Sequence, residues 1–200
     1  MRRITVNNNV TLDGVMQAPG RPDEDRRGGF EHGGWATPYF DKVMAEAAGE
    51  GMGGGSAMLF GRRTYEDFAT VWPNMPGDNP FTEVLNRSEK YVASRTLREP
   101  LEWQHSTILD GDAVDAVRAL KASDGPDLVV LGSGELIRSL LPHGLIDQFR
   151  LLIHPLVLGS GRRLFETGDA FSTFRLTETT TTTTGVIIAT YDAEAGSTPP

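Results

Sequence analysis

Twice in this chain a short, wholly apolar run breaks at a glycine straight into a helix-type pattern. That repetition limits the fold more than any other feature. Ala57, Met58, Leu59 and Phe60 lead into Gly61 and then Arg62, Arg63 and Thr64, while Leu128, Val129, Val130 and Leu131 lead into Gly132, Ser133, Gly134 and Glu135. Four consecutive apolar residues suit a strand buried on both faces, as in a parallel sheet covered by helices. The glycine permits a tight turn, and the first amides of the following helix have no acceptor within it. With the helix dipole, each junction attracts an anion. Arg62 and Arg63 add guanidinium groups at the first junction and Thr64 adds a hydroxyl. Either glycine alone reads equally well as an ordinary turn. Two such junctions in 200 residues imply a ligand with more than one phosphate, such as a dinucleotide.

The remaining pattern alternates strand and helix. Residues 3–6 read as the first strand, and 11–16 continue it or form an extended loop. Residues 17–34 are rich in Gly, Pro and charge and long for a loop without structure, so they are either a lid or a disordered insertion. Thr37 and Pro38 suit an N-cap and first helical position, with Phe40, Val43, Met44, Ala47 and Ala48 forming one buried face. Gly49, Gly51 and Gly54 match a Gly-x-Gly-x-x-Gly pattern, but they follow a helix and precede a strand. That is the reverse of a dinucleotide fingerprint, so they read as linker. A helix to about Phe68, a loop over 72–77, and strands over 90–93 and 102–108 come next. Asp110 or Asp112 caps a helix with Val114, Val117 and Leu120 inward. Leu136, Ile137, Leu140 and Leu141 face inward on the helix that Pro142 stops, and a strand covers 149–153. Two long strands, 171–183 and 186–191, close the chain with no helix between them. The threonines of 179–184 favour strand, and Gly185 falls at their turn. The order specifies an α/β fold, a mostly parallel sheet with a C-terminal antiparallel hairpin.

A formal charge of -8 leaves no basic stripe for general nucleic-acid binding. An anionic ligand must instead meet locally gathered arginines: Arg62 with Arg63, Arg162 with Arg163, and Arg95. The absence of cysteine excludes disulfides, thiolate catalysis and cysteine-ligated metals. His32, His105, His143 and His154 show no metal-ligand spacing, so no metal site is expected, and no Gly-x-Ser-x-Gly elbow supports a hydrolase. No signal-type or membrane-spanning run is present, and a cytoplasmic location away from membranes is the expectation.

Four segments, taken in order, resemble the dihydrofolate reductase-like family: Thr11, Leu12, Asp13 and Gly14; residues 59–65; residues 129–134; and residues 155–161. The nearest branch is the one related to the C-terminal reductase domain of the bifunctional riboflavin-biosynthesis deaminase-reductase. The resemblance implies a three-layer sandwich over residues 1–193, with 194–200 a disordered tail, and NADPH as cofactor. It implies that Gly61, Arg62 and Thr64 bind the cofactor diphosphate, and that Gly132, Ser133, Gly134 and Glu135 present amides from its other side. Ser94 and Arg95 would grip the adenosine 2′-phosphate. Val6 and Asn7 would run beside the nicotinamide, and Gly159 and Gly161 are either near the cofactor or an ordinary loop. Asp13 would lie at the mouth of the substrate pocket as a catalytic group. Asp41 is either the helix carboxylate that anchors a pterin or a solvent-facing residue. The chain departs from the family in having no deaminase zinc signature, and in a Gly-rich segment before Trp35 where true dihydrofolate reductases carry a proline- and tryptophan-containing loop.

The implied activity is NADPH-dependent reduction of a pterin-like or ribosylamino-pyrimidine substrate. A non-catalytic NADP(H)-binding module or sensor is the alternative, because no acid is assigned as proton donor. The long, Thr-rich terminal strands invite pairing at a sheet edge, so a homodimer through these strands or the neighbouring sheet surface is expected.

Overall fold

The computed structural model describes residues 1–51, 55–75 and 80–194. Its two glycine-broken apolar runs are adjacent strands at the centre of one sheet, because only there are both faces covered. In chain order the elements are β1 (Ile4–Thr11), α1 (Lys42–Gly51), β2 (Ala57–Gly61), α2 (Arg62–Val71), α3 (Pro80–Arg87), β3 (Lys90–Ala93), β4 (Ser106–Leu109), α4 (Ala113–Ala122), β5 (Leu128–Leu131), α5 (Gly134–Leu140), β6 (Gln148–His154), β7 (Phe174–Thr181) and β8 (Ile187–Ala193). The eight strands lie in the order β4-β3-β2-β5-β1-β6-β8-β7. All pairs from β4 to β6 are parallel, with Val130 opposite both Val6 and Leu59. The pairs β6–β8 and β8–β7 are antiparallel. This is the expected dihydrofolate reductase-like sandwich.

Helices α4 and α5 cover one face, where Val117, Leu136, Ile137 and Leu140 pack on Ile4, Val6, Leu59 and Val130. On the other face Tyr65 of α2 and Leu85 of α3 pack with Met58, Phe60, Val92 and Trp103. Met44 and Ala47 of α1 meet Leu152 and Ile188 on that side. The C-terminal ends of the central strands open between α1, α2 and α5.

Several local expectations are corrected. Asp41, not Thr37, caps α1, its carboxylate accepting from the Met44 amide at 2.8 Å. Thr37–Tyr39 is a separate 3-10 turn, and Phe40 is 64 % exposed rather than buried. Gly49 and Gly51 belong to α1, whereas Gly54 lies outside the described residues. A 3-10 turn at Trp72–Asn74 lies in the stretch read as loop, and helix α3 fills residues without a predicted element, since eight residues show too little periodicity. Residues 76–79 of that stretch and most of the expected tail, 195–200, also lie outside the described residues. Strand β4 starts only at Ser106, because Trp103 turns into the core and is 2 % exposed. Residues 17–34 are not a disordered insertion. Phe30 and Trp35 pack with Val15, Ala18 and Ala36, and the Trp35 indole donates to the Gln17 carbonyl at 2.7 Å.

Candidate functional site

The two glycine junctions meet and are knitted together. The Gly61 amide donates to the Ser133 hydroxyl at 2.9 Å, and the Ser133 amide donates to Thr64 Oγ1 at 3.1 Å. The Gly132 amide donates to Asn8 Oδ1 at 2.9 Å. Gly132 and Ser133 both adopt left-handed backbone, φ +61° each; for a serine this is strained, and strain of this kind collects at functional sites. A Cβ on Gly132 would also press on Thr64 Cγ2 at 3.2 Å, whereas one on Gly61 would make only ordinary contacts. Gly132 is therefore needed for the backbone itself.

Helices α1 and α4 carry aspartate caps, from Asp41 and Asp112. Helices α2 and α5 begin at Gly61 and Ser133 with no side-chain cap. Their first amides are left for a ligand. Both open on a cleft of about 1400 Å³ lined by ten arginines and only four carboxylates, a local excess of positive charge in a chain whose formal net charge is -8. Seven of the ten arginines are ion-paired: Arg21 to Asp67, Arg27 to Asp25, Arg62 to Glu66, Arg63 and Arg162 to Glu135, Arg138 to Glu166, and Arg163 to Asp13. Arg26, Arg95 and Arg150 have no ion pair among the described residues.

Most of the sequence-predicted residues gather here. Asn7, Gly61, Arg62, Thr64, Ser94, Arg95, Gly132, Ser133, Gly134 and Glu135 line the cleft. Ser94 and Arg95 also border an adjoining pocket of about 840 Å³ over the ends of β3 and β4. The hydroxyls of Thr64 and Ser133 hold the two junctions together, and the Glu135 carboxylate pairs with Arg63 and Arg162.

Five residues lie elsewhere. Val6 is fully buried under α5 and has no side-chain access to the cleft. Asp13 is a loop staple: it accepts from Thr11 Oγ1 at 2.6 Å and from the amides of Leu158 and Gly159 at 3.2 and 2.9 Å. The Thr11 hydroxyl above all, with those amides, lowers its pKa to about 2. A carboxyl so acidic holds no proton to donate near neutrality. Gly159 serves that staple, and a Cβ on Gly161 would meet Phe30 at 2.7 Å and Val15 at 2.8 Å; both glycines shape the loop behind the lid. Asp41 is part-exposed and does not line the cleft. Besides capping α1, it accepts from the Thr183 amide and hydroxyl at 2.7 and 2.6 Å, and the Thr183 hydroxyl is the main cause of its lowered pKa.

Two site residues escaped sequence reasoning. Glu24 of the lid lines the cleft and accepts the Gly20 and Arg21 amides on one oxygen, at 2.8 and 3.0 Å. Unlike the other three cleft carboxylates it has no ion pair among the described residues, and desolvation raises its pKa. Arg150 of β6 lies half-buried on the cleft floor and donates to the Ala47 carbonyl at 2.7 Å. His154 is fully buried behind the cleft, bonded to Asn9 Oδ1 at 2.9 Å and edged by the rings of Trp35 and Tyr39. Neither a loop glutamate nor a lone strand arginine carries a pattern that marks it.

Fold and cleft together define a dihydrofolate reductase-like protein. Residues 2–188 match the RibD C-terminal domain, and the chain belongs to that family. It is 29 % identical over 199 residues to the uncharacterised protein YyaP of Bacillus subtilis, covering 95 % of this chain and 94 % of that one. It is 28 % identical over 129 residues to YwjB of the same organism, covering 61 % and 69 %. Among solved structures it resembles a putative riboflavin biosynthesis protein from Shewanella (TM-score 0.67, 20 % identity, 96 % and 99 % coverage). A pyrimidine reductase-like protein from Corynebacterium diphtheriae (0.62, 14 %, 96 % and 92 %) and Schistosoma mansoni dihydrofolate reductase (0.59, 12 %, 96 % and 99 %) share the fold. No helix among the described residues is long and apolar enough to cross a membrane.

Proposed function

We propose that the protein is an NADPH-dependent reductase of a flat nitrogen heterocycle, pterin-like or a ribosylamino-pyrimidine. The observation that carries this reading is the pair of uncapped helix N-termini, α2 and α5, opening on one arginine-rich cleft. Arg62, Thr64 and the amides of Gly134 and Glu135 would hold the cofactor diphosphate, Ser94 and Arg95 the 2′-phosphate, and Asn7 would lie beside the nicotinamide. When bound, NADPH supplies the hydride for an electron-poor C=N carbon. The lid residues 17–34 exclude water from the cleft. Glu24 delivers a proton to the ring nitrogen and is reprotonated from solvent, a role its desolvated carboxyl suits. That acid favours catalysis over a binding module or sensor.

The test is cofactor preference. Arg95 has no ionic partner to give up, and a charge-assisted contact contributes roughly 1.5–3 kcal/mol, which is about tenfold to a hundredfold in affinity. NADPH should bind more tightly than NADH by that factor, and Arg95→Ala should remove the difference. Equal dissociation constants in the unaltered protein would overturn the assignment.

We also propose that two copies pair through the outer face of β6, β8 and β7. Leu151 lies opposite Ala189, Ile153 opposite Ile187, and Leu176 opposite Tyr191, so these side chains share one face. Leu176 and Ile187 on it are 50 % and 43 % exposed. In a two-fold pairing each patch meets its own copy, and an uncharged patch is self-complementary.

A further inference from the structure

We propose that Asp67 of α2 is a positioning residue for the lid acid: it fastens the guanidinium of Arg21, whose backbone in turn holds Glu24 in the cleft. The proposal rests on the reading of Glu24 as the proton donor of a reductase.

Arg21 is engaged at both ends. Its guanidinium donates to Asp67 Oδ1 at 2.6 Å, and its backbone amide donates to Glu24 Oε2 at 3.0 Å, beside the Gly20 amide at 2.8 Å. Glu24 Oε2 is thereby taken twice. Oε1 has no hydrogen-bond partner among the described residues and is the oxygen left to carry a proton. The other fastenings of the lid run elsewhere: Gln17 donates to the carbonyls of Asp25 and Arg27, and its Oε1 accepts the Arg162 amide. Among the described residues the Arg21–Asp67 pair is the bond that reaches α2. Its side chains are 33 % and 22 % exposed, so salt and water screen it less than a surface pair. Asp23, 3.7 Å from the same guanidinium, is 72 % exposed and stands on the lid itself, so it anchors the lid to nothing.

The place of Asp67 matters as much as its charge. It lies three residues after Thr64 on α2, about 4.5 Å along the axis and on the same side of the helix. Both residues line the cleft. One rigid helix thus carries a cofactor contact on its first turn and the anchor of the acid on its second. The proton donor is then held in register with the hydride source instead of moving with the lid, and reduction of a C=N bond needs both beside adjacent atoms. Burial raises the pKa of Glu24 most; of the two charges that act on it from the pair, Asp67 raises it and Arg21 lowers it.

Arg21→Gln separates positioning from mere proximity, with the Glu24 carboxyl followed by carbon-13 NMR. If the pair holds the lid down, its loss lets water reach Glu24, and the pKa falls from its raised value to the ordinary 4.5. If the pair only lends its charges, Glu24 stays buried beside an Asp67 that has lost its neutralising partner, and the pKa rises further. A fall is the expected result; a rise, or no change, overturns the proposal. Asp67→Asn supplies a second measurement that stands even if Arg21→Gln does not fold. The Gly20 and Arg21 amides, bonded to Glu24, should exchange their hydrogens about tenfold faster in that variant, and unchanged rates would also overturn the proposal. A Glu24 that titrates at or below 4.5 in the unaltered protein removes the acid and the positioning role together. Should NADPH fail to bind while Arg21→Gln lowers the Glu24 pKa, the fastening stands and the reductase reading falls.

Discussion

Replacing His154 by glutamine should flatten the pH dependence of stability on the acid side of neutrality. The imidazole is fully buried at the end of β6. Its Nε2 is bonded to Asn9, its Nδ1 has no partner, and the rings of Trp35 and Tyr39 edge it at 5.1 and 5.5 Å. Nothing there compensates a positive charge, and burial lowers its pKa from 6.5 to about 4. The unfolded chain therefore takes up a proton below pH 6.5 that the folded protein refuses until about pH 4, and stability falls with pH across that window. At about 1.4 kcal/mol per pH unit, the loss reaches roughly 3 kcal/mol by pH 4. Glu24 acts in the opposite sense, since its raised pKa stabilises the fold at low pH and that contribution fades as pH rises. The wild type is therefore compared with the variant at each pH. Urea denaturation at pH 7, 6 and 5 should show the stability gap between His154 and His154→Gln narrowing by about 2 kcal/mol from pH 7 to 5. Glutamine keeps a donor for Asn9, and any fixed cost of the substitution is the same at every pH. A gap that stays constant would mean that the folded protein accepts the proton, and the burial argument would fail.

For Glu24, carbon-13 NMR of the side-chain carboxyl, assigned by its loss in Glu24→Gln, should give a pKa above the ordinary 4.5; a value at or below it would remove Glu24 as proton donor. Sedimentation equilibrium at micromolar concentration should give a dimer, and a clean mass of 21.8 kDa would refute the pairing. Substitutions that probe the interface belong at Leu176 or Ile187, each to aspartate, because the neighbouring Val186 and Ile188 are buried against α1 and a charge there would unfold the chain.

The sheet and the two glycine junctions were legible because both depend on local chemistry. A four-residue apolar run ending in glycine states a buried strand and its turn, and the helix start that follows states uncapped amides. The substrate side was not legible. Asp13 and Asp41 carry the residue type that catalysis requires, yet their surroundings turn them into a staple and a cap, and only folding decides that. Arg150 and Glu24 owe their character to half-burial, which one sequence does not display. The fate of residues 17–34 was undecidable for a related reason. Phe30 and Trp35 are fifteen and more residues from Val15 in sequence and far from Leu156 and Leu158, and the small core they build together has no periodic signature.

That small core has a consequence for how such a protein can be rebuilt. Val15, Ala18, Phe30, Trp35 and Ala36 pack on one another and on Leu156 and Leu158, apart from the clusters that hold the helices to the sheet. The segment's polar ties to the rest of the chain include the ion pair of Arg21 with Asp67 of α2 at 2.6 Å and the Arg162 amide donating to Gln17 Oε1 at 2.9 Å. The segment is in effect a cassette with named fastenings, and an engineer who grafts a relative's lid would need to transplant the partners at 67, 156, 158 and 162 with it.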